Sequence, residues 1–218
     1  MTNFTDPNEI PKEMLFFTYE EFKKFISVED DILFKTLFET LYYCGLRRGE
    51  LRGLTWKDID FKNNTINIDK TMERIKVDGK YQWLIDTPKR PKSIRVIPLA
   101  NRAKEQLLWL KTVSPGLEAS GDDHIFVTKN NIPPSQSTLT RTLKAILKRA
   151  DIESDGFGLH DLRHSFGSML LQKGWEQNQP VDIKVISEIL GHEDVSTTYN
   201  IYMHIMNKHK SEVINLLD

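Results

Sequence analysis

Residues 30–51 read Asp30-Asp31-Ile32-Leu33-Phe34-Lys35-Thr36-Leu37-Phe38-Glu39-Thr40-Leu41-Tyr42-Tyr43-Cys44-Gly45-Leu46-Arg47-Arg48-Gly49-Glu50-Leu51. Leu33, Leu37, Phe38 and Leu41 recur at helical spacing, which predicts a helix from about Asp30 to Cys44. Gly45 stops it, and a short helix carrying Arg48 to Leu54 follows. Upstream, Thr18-Tyr19-Glu20-Glu21 has the spacing of a capping box, in which a threonine hydroxyl and a glutamate three positions on satisfy each other's backbone N–H groups. Phe22, Phe25 and Ile26 then share one face of a helix. Residues 1–15, with Pro7 and Pro11 and no periodicity, read as a linker.

Beyond Trp56 the period changes. Asn64-Thr65-Ile66-Asn67-Ile68-Asp69 alternates with period two, and Tyr81–Asp86 and Ile94–Pro98 read as two strands around a Pro/Lys-rich hairpin turn. Helical spacing returns from about Asn101 to Lys111, followed by a short Ile125-Phe126-Val127 strand and a Pro133-Pro134 break. Helices are expected at 136–150, 160–173 and 182–190, with helical character again from about 195. The fold class is therefore mainly α with a small antiparallel β-sheet (α+β), in one domain over 16–218.

The chain has 218 residues, 39% hydrophobic and 28% charged, the balance of a globular domain with a core of its own rather than a disordered tail. No apolar run approaches the roughly 18 residues that span a bilayer, so no membrane partner is expected. One cysteine, Cys44, excludes an internal disulfide framework, and its apolar surroundings predict a buried, inert thiol. With no secretory pattern in the polar first residues, a reducing cytoplasm is expected. The formal net charge is −1. That average hides eight acids against three bases in residues 1–34, and eleven bases against four acids in residues 70–111. A basic central segment of this kind builds either a solvated face or a surface for nucleic acid.

Three clusters could carry chemistry. In Gly45-Leu46-Arg47-Arg48-Gly49-Glu50-Leu51, an arginine at the turn into a helix joins a guanidinium fork to backbone N–H groups, a fitting cradle for phosphate, and Glu50 could fix the fork. Read alone, it is first a surface turn with an i,i+3 ion pair. In His160-Asp161-Leu162-Arg163-His164, His160 and Arg163 share a helix face. His160 and His164 also stand at the spacing of a zinc pair, but no cysteine or well-placed glutamate completes a ligand set. In the third, Ile189-Leu190-Gly191-His192 marks a helix end followed by a histidine, and Tyr202 follows ten residues later within Ser196-Thr197-Thr198-Tyr199-Asn200-Ile201-Tyr202.

In this order and at these spacings, the boxes resemble the tyrosine recombinase (phage integrase) family. The resemblance rests on Gly-Leu-Arg47-x-x-Glu50-Leu, His160-x-Leu-Arg163-His164, Leu-Gly-His192 and Ser-Thr-Thr-x-x-Ile-Tyr202, and spans residues 45–204. It implies the recombinase catalytic-domain fold and a site-specific DNA recombinase. Tyr202 would attack a DNA phosphodiester to leave a 3′-phosphotyrosine and a free 5′-hydroxyl, and rejoining would need no ATP, metal or other cofactor. Arg47 and Arg163 would hold the phosphate oxygens, His160 would accept or shuttle the proton, and His192 would add a hydrogen bond. The family's hairpin lysine, the general acid for the departing 5′-oxygen, would be Lys89, with Lys92 as its rival. Arg90, Lys92 and Arg95 would contact DNA around it, and Tyr199 is a rival phenol to Tyr202.

The resemblance also implies double-stranded DNA as partner and a homo-tetramer in the DNA synapse, with a monomer in isolation. Residues 1–15 would be the linker from an upstream core-binding domain, and 205–218 would dock on their own core or on a neighbouring protomer. A catalytically silent DNA-binding module, a type IB topoisomerase and a metal-dependent hydrolase are the competing functions.

Overall fold

The computed structural model describes residues 15–87, 93–113, 123–153, 155–199 and 202–203. Lys89, Arg90, Lys92, residues 1–14 of the linker and the tail at 205–218 lie outside them. Helix α1 (Tyr19–Ser27) begins with the expected capping box: Glu21 N–H donates to the Thr18 hydroxyl at 3.2 Å, and Thr18 N–H to the Glu21 carboxylate at 2.8 Å. Helix α2 (Ile32–Cys44) is capped by Asp31 and ends at Gly45, whose φ of +62° is the left-handed turn that favours glycine. A β-carbon there would also lie 2.6 Å from the Phe166 ring and 2.8 Å from Leu190, so the chain packs too closely at this point for any side chain.

Helix α3 (Arg48–Gly53) follows, then a 3₁₀ turn at Trp56–Asp58. Strands β1 (Ile59–Asp60), β2 (Thr65–Ile68) and β5 (Arg95–Pro98) form a three-stranded antiparallel sheet in the order β1-β2-β5, with Ile66 opposite both Ile59 and Ile97. Among the described residues, strands β3 (Thr71–Val77) and β4 (Lys80–Asp86) pair only with each other, closed by Asp78-Gly79. Helices α4 (Asn101–Val113), α5 (Gln136–Arg149), α6 (Leu159–Glu176) and α7 (Ile183–Leu190) complete the domain, and helical conformation returns at 195–199 and 202–203.

Two sheet expectations are corrected. Strands β4 and β5 do not form a hairpin: β4 pairs with β3 and β5 with β2, so the Pro/Lys-rich segment joins two separate sheets. The 125–127 segment is no strand. Among the described residues, the pairing here is one bridge between Thr55 and His124, made by Ile125 N–H donating to Leu54 and Trp56 N–H donating to Asp123.

The main core gathers α1 and α2 with parts of α4, α5 and the sheet. Phe22 stacks on Tyr42 at 3.6 Å between ring centroids, and Phe25 packs edge-on against Phe38 at 5.4 Å. Each such fully buried side chain contributes about 1.5–3 kcal/mol from water exclusion. Cys44 is part of this core, where burial pushes its thiol up to about 12, so it is inert. A smaller cluster of Phe166, Leu171, Ile186 and Leu190 joins α6 to α7. Among the described residues, no helix is long and apolar enough to cross a membrane.

Candidate active site

Residues far apart in the chain meet at the C-terminus of α7. That helix ends at Gly191, left-handed with φ of +64°, and leaves its last carbonyls without partners inside the helix. Three arginines take three successive ones. Arg95 donates its Nε to the Ile189 carbonyl at 2.7 Å, Arg163 its Nη2 to Leu190, and Arg47 its Nη2 to Gly191 at 2.6 Å. The negative end of a helix dipole favours such cations. Arg163 uses its other nitrogen, Nη1, to hold the Gly45 carbonyl at 2.6 Å, which ties the end of α2 to the end of α7.

Glu50 binds this group together. It is 3% exposed, and its carboxylate accepts the Arg47 backbone N–H and the Arg47 Nη1, both at 2.8 Å. The same two oxygens accept the Arg95 fork at 2.9 and 3.0 Å. Arg47, which caps α3, keeps 35% of its side chain exposed, whereas Arg163 is 1% exposed. Arg47 is thus the arginine open to a ligand, and Arg163 supplies charge from behind.

The histidines line the same region. His160 lies in the first turn of α6, and its ring meets that of His164 edge-on at 4.4 Å. His192 follows the α7 terminus, and its Nδ1 is hydrogen-bonded to the buried Thr198 hydroxyl at 2.8 Å, which leaves Nε2 for a ligand. Burial, then Arg163 and Arg47, hold His192 down at about 3. Burial, His160 and Arg163 hold His164 at about 4, and burial with Arg163 and Arg47 lowers His160. The imidazoles are therefore neutral at pH 7, able to accept or pass a proton, while the positive charge resides on the arginines. Burial, with Arg47 beside it, also presses Arg163 down to about 9, which leaves it charged at neutral pH.

Of the expected site residues, Arg47, Glu50, Arg163, His160 and His192 come together. Arg95 departs from expectation: it is 8% exposed and its fork is committed to Glu50 and to main-chain carbonyls, so it is buried structure rather than a surface contact. Lys89, Arg90 and Lys92 lie outside the described residues. Tyr202 is half-buried against the Phe166–Leu190 cluster, edge-on to Trp175 at 5.8 Å, and Tyr199 stands 6.0 Å from it with half its surface exposed. Two partners escaped sequence reasoning. Thr198 orients His192, and the almost fully buried Arg52 ties α3 to β3 through Glu73 at 3.0 Å and to the Pro134 carbonyl at 3.1 Å. Among the described residues, no group of three or more His, Cys, Asp or Glu side chains is placed to hold a metal ion.

A pH effect on stability follows from Glu50. Burial pushes its carboxyl up, but the hydrogen bonds and charge of Arg95, the Arg47 N–H and the charge of Arg163 outweigh burial and hold it at about 2, against 4.5 for a free glutamate. A carboxyl depressed in the fold stabilises it fully above the unfolded value and ceases to do so as pH falls through the folded one. Urea melts from pH 7 to pH 2 are expected to lose on the order of 3 kcal/mol between about 4.5 and 2 from this group. Glu50→Gln should start less stable and lack that step; an equal step in both proteins would refute the assignment.

Comparison with known proteins places this geometry. The model of the phage integrase family matches residues 14–209. The chain is 31% identical over 230 aligned positions to a tyrosine recombinase XerC-like protein of Caldanaerobacter subterraneus subsp. tengcongensis, covering 98% of this chain and 56% of that one. It is 34% identical over 215 positions to the ICEBs1 integrase of Bacillus subtilis, covering 95% and 55%. The chain thus spans about half the length of the curated relatives it matches. Among solved structures, the Tn1549 transposon integrase in complex with transposon right end DNA superposes with a TM-score of 0.74 at 22% identity, over 95% of this chain and 67% of that one. The XerA recombinase superposes with a TM-score of 0.68 at 24% identity, over 95% and 66%. These two likenesses show a shared fold.

Proposed function

The chain belongs to the phage integrase family, and from that premise we propose that it is the catalytic part of a site-specific DNA recombinase that integrates or excises a mobile element. The observation that carries the reading is the convergence of Arg47, Arg163, His160 and His192 at the end of α7, an arrangement of fixed positive charge beside neutral imidazoles. That arrangement suits a phosphodiester: the exposed Arg47 guanidinium, with the buried Arg163 charge behind it, stabilises the charge that grows on the non-bridging oxygens as phosphorus becomes five-coordinate.

Tyr202 is the nucleophile. Its oxygen forms a bond to phosphorus as the bond to the 5′-oxygen breaks, leaving a 3′-phosphotyrosine and a 5′-hydroxyl. The phenolic proton passes to His160, the His192 imidazole donates a hydrogen bond to the phosphate, and Lys89 protonates the departing 5′-oxygen, with Lys92 as the alternative donor. Attack by a 5′-hydroxyl from the partner duplex reverses the step and joins the strands. The phosphodiester energy is kept in the tyrosyl ester, so no ATP is consumed, and the arginines stabilise charge where many phosphoryl-transfer enzymes use a metal ion. The partner is double-stranded DNA, and exchange takes place in a homo-tetramer, as pairing of two duplexes cut at both strands requires four nucleophiles.

The test uses nicked duplexes made from the two junctions that flank the coding region of the chain. The protein is expected to become covalently attached to the scissile strand in excess EDTA and without nucleotide, as a band that survives denaturing electrophoresis. Salt-sensitive DNA binding with no covalent product on either junction would overturn the reading in favour of a silent DNA-binding module.

A further inference from the structure

Arg95 differs from Arg163, the more deeply buried arginine, in spending its fork on the Glu50 carboxylate. Its guanidinium is turned inward, with 8% of the side chain exposed, and almost all of its donors are engaged. The fork spans both Glu50 oxygens at 2.9 and 3.0 Å, Nε holds the Ile189 carbonyl at 2.7 Å, and Nη1 also reaches the Ser93 carbonyl at 3.0 Å. A β-carbon on Gly191 would come within 3.0 Å of the guanidinium, so the α7 turn is moulded against it.

Arg47 is held by the two groups that Arg95 holds. Its Nη1 bonds Glu50 and its Nη2 bonds the Gly191 carbonyl, two residues beyond the carbonyl that Arg95 caps. Glu50 has two oxygens and two arginines to serve. With Arg95 in place the carboxylate plane is pinned by a bidentate pair, and Arg47 must take the remaining lone pair in a single orientation. Without Arg95, Glu50 keeps only the Arg47 N–H and Nη1, and its carboxylate can turn about the N–H contact to form its own fork with Arg47. The Ile189 carbonyl also loses its cap at the turn that carries His192.

We propose that Arg95 is the positioning residue of the active site: through Glu50 and the α7 terminus it fixes the orientation of the Arg47 guanidinium and the place of His192. The proposal rests on the reading of Arg47 as a phosphate-binding group, but its first test does not. It assigns to β5 a task separate from sheet pairing, as the side chain of its first residue reaches across to the ends of α3 and α7 while its backbone pairs with Ile68.

The test is nitrogen NMR of arginine side chains in the full chain, comparing wild type with Arg95→Met and Arg95→Lys. In the wild type, Arg47, held at both Nη atoms, should rotate slowly about Cζ–Nε and show two resolved Nη signals. In Arg95→Met these should collapse to one averaged signal, while the Arg163 signals and the thermally cooperative fold persist. Arg95→Lys keeps a cation for Glu50 but has no fork to hold both oxygens and Ile189 together, so it should also release Arg47. Should the methionine variant fail to fold, the lysine variant decides. Resolved, unshifted Arg47 signals in a folded Arg95 variant would overturn the proposal.

A second arm reads the consequence on the nicked junction duplex. Single-turnover adduct formation should fall by about 100-fold in Arg95→Lys, the scale of a misplaced contact, with DNA affinity unchanged. Equal loss of affinity and rate would mark a merely structural role and count against positioning. Absence of adduct in the wild type itself would count against the proposed function and leave the NMR result to decide the role of Arg95.

Discussion

Replacing Tyr202 with phenylalanine is expected to abolish the covalent protein–DNA adduct, a loss on the order of a millionfold, as when the nucleophile of another covalent enzyme is removed. The ring packs on the Phe166–Leu190 cluster and edge-on against Trp175 at 5.8 Å, contacts that phenylalanine repeats. Stability should therefore change by less than about 1.5 kcal/mol, as for a volume-conserving swap. The arginine pair is untouched, so DNA affinity at fixed salt should match the wild type. Tyr199→Phe is the paired control. Its ring lies 6.0 Å from that of Tyr202 and is half exposed, so its hydroxyl is removed at little cost and adduct formation should persist. Denaturing electrophoresis on the nicked duplex reads both variants. Adduct retained in Tyr202→Phe and lost in Tyr199→Phe would move the nucleophile to Tyr199.

What could be read in advance depended on how locally each residue is defined. Arg47, Glu50, His160, Arg163 and His192 stand in short boxes whose helix ends and turns are written beside them: Gly45 and Gly191 stop α2 and α7, and the residues that follow them are those of the site. The Thr18–Glu21 capping box is likewise a matter of four residues. Arg95 was legible only as a basic residue near a basic turn. Its role is set by Glu50, 45 positions away, and by Ile189, 94 positions away, and nothing within its own strand distinguishes a buried fork from an exposed one. Strand β3 was missed for a different reason. Its apolar residues Ile75 and Val77 remain partly exposed, so no core demanded the strand, although the Asp78-Gly79 turn is a strong local hairpin signal. That omission led Tyr81–Asp86 to be paired with the wrong neighbour. The Ile125-Phe126-Val127 run is no strand because burial alone does not make one: Ile125 and Phe126 are core residues that follow the isolated bridge at His124.

Arg163→Lys is expected to slow cleavage by about 100-fold, the scale of a misplaced contact, because Arg163 stands behind the site and holds the Gly45 and Leu190 turns that carry Arg47 and His192. The substitution keeps the charge and removes the geometry. Arg163 spans from the Gly45 carbonyl to the Leu190 carbonyl with two different nitrogens, and a single ammonium cannot replace both. One of those buried carbonyls would be left without its donor, at a cost of about 1–3 kcal/mol in stability. The pH dependence separates this loss of geometry from a loss of charge. Arginine remains protonated in its buried place across the working range, whereas a lysine there would meet the same burial and the same Arg47 charge from a lower starting value. Both influences disfavour the ammonium. Activity in Arg163→Lys should therefore fall further as pH rises through the neutral range, as the lysine gives up its proton, while the wild type shows no such limb from this residue. Arg163→Met, which has no proton to lose, should be slow at every pH and lack the added fall. Single-turnover adduct formation from pH 6 to 8 on the nicked duplex, below the Arg163 value of about 9, measures all three. A lysine variant with the wild-type rate and profile would show that the two carbonyl contacts of Arg163 tie α2 to α7 without bearing on cleavage.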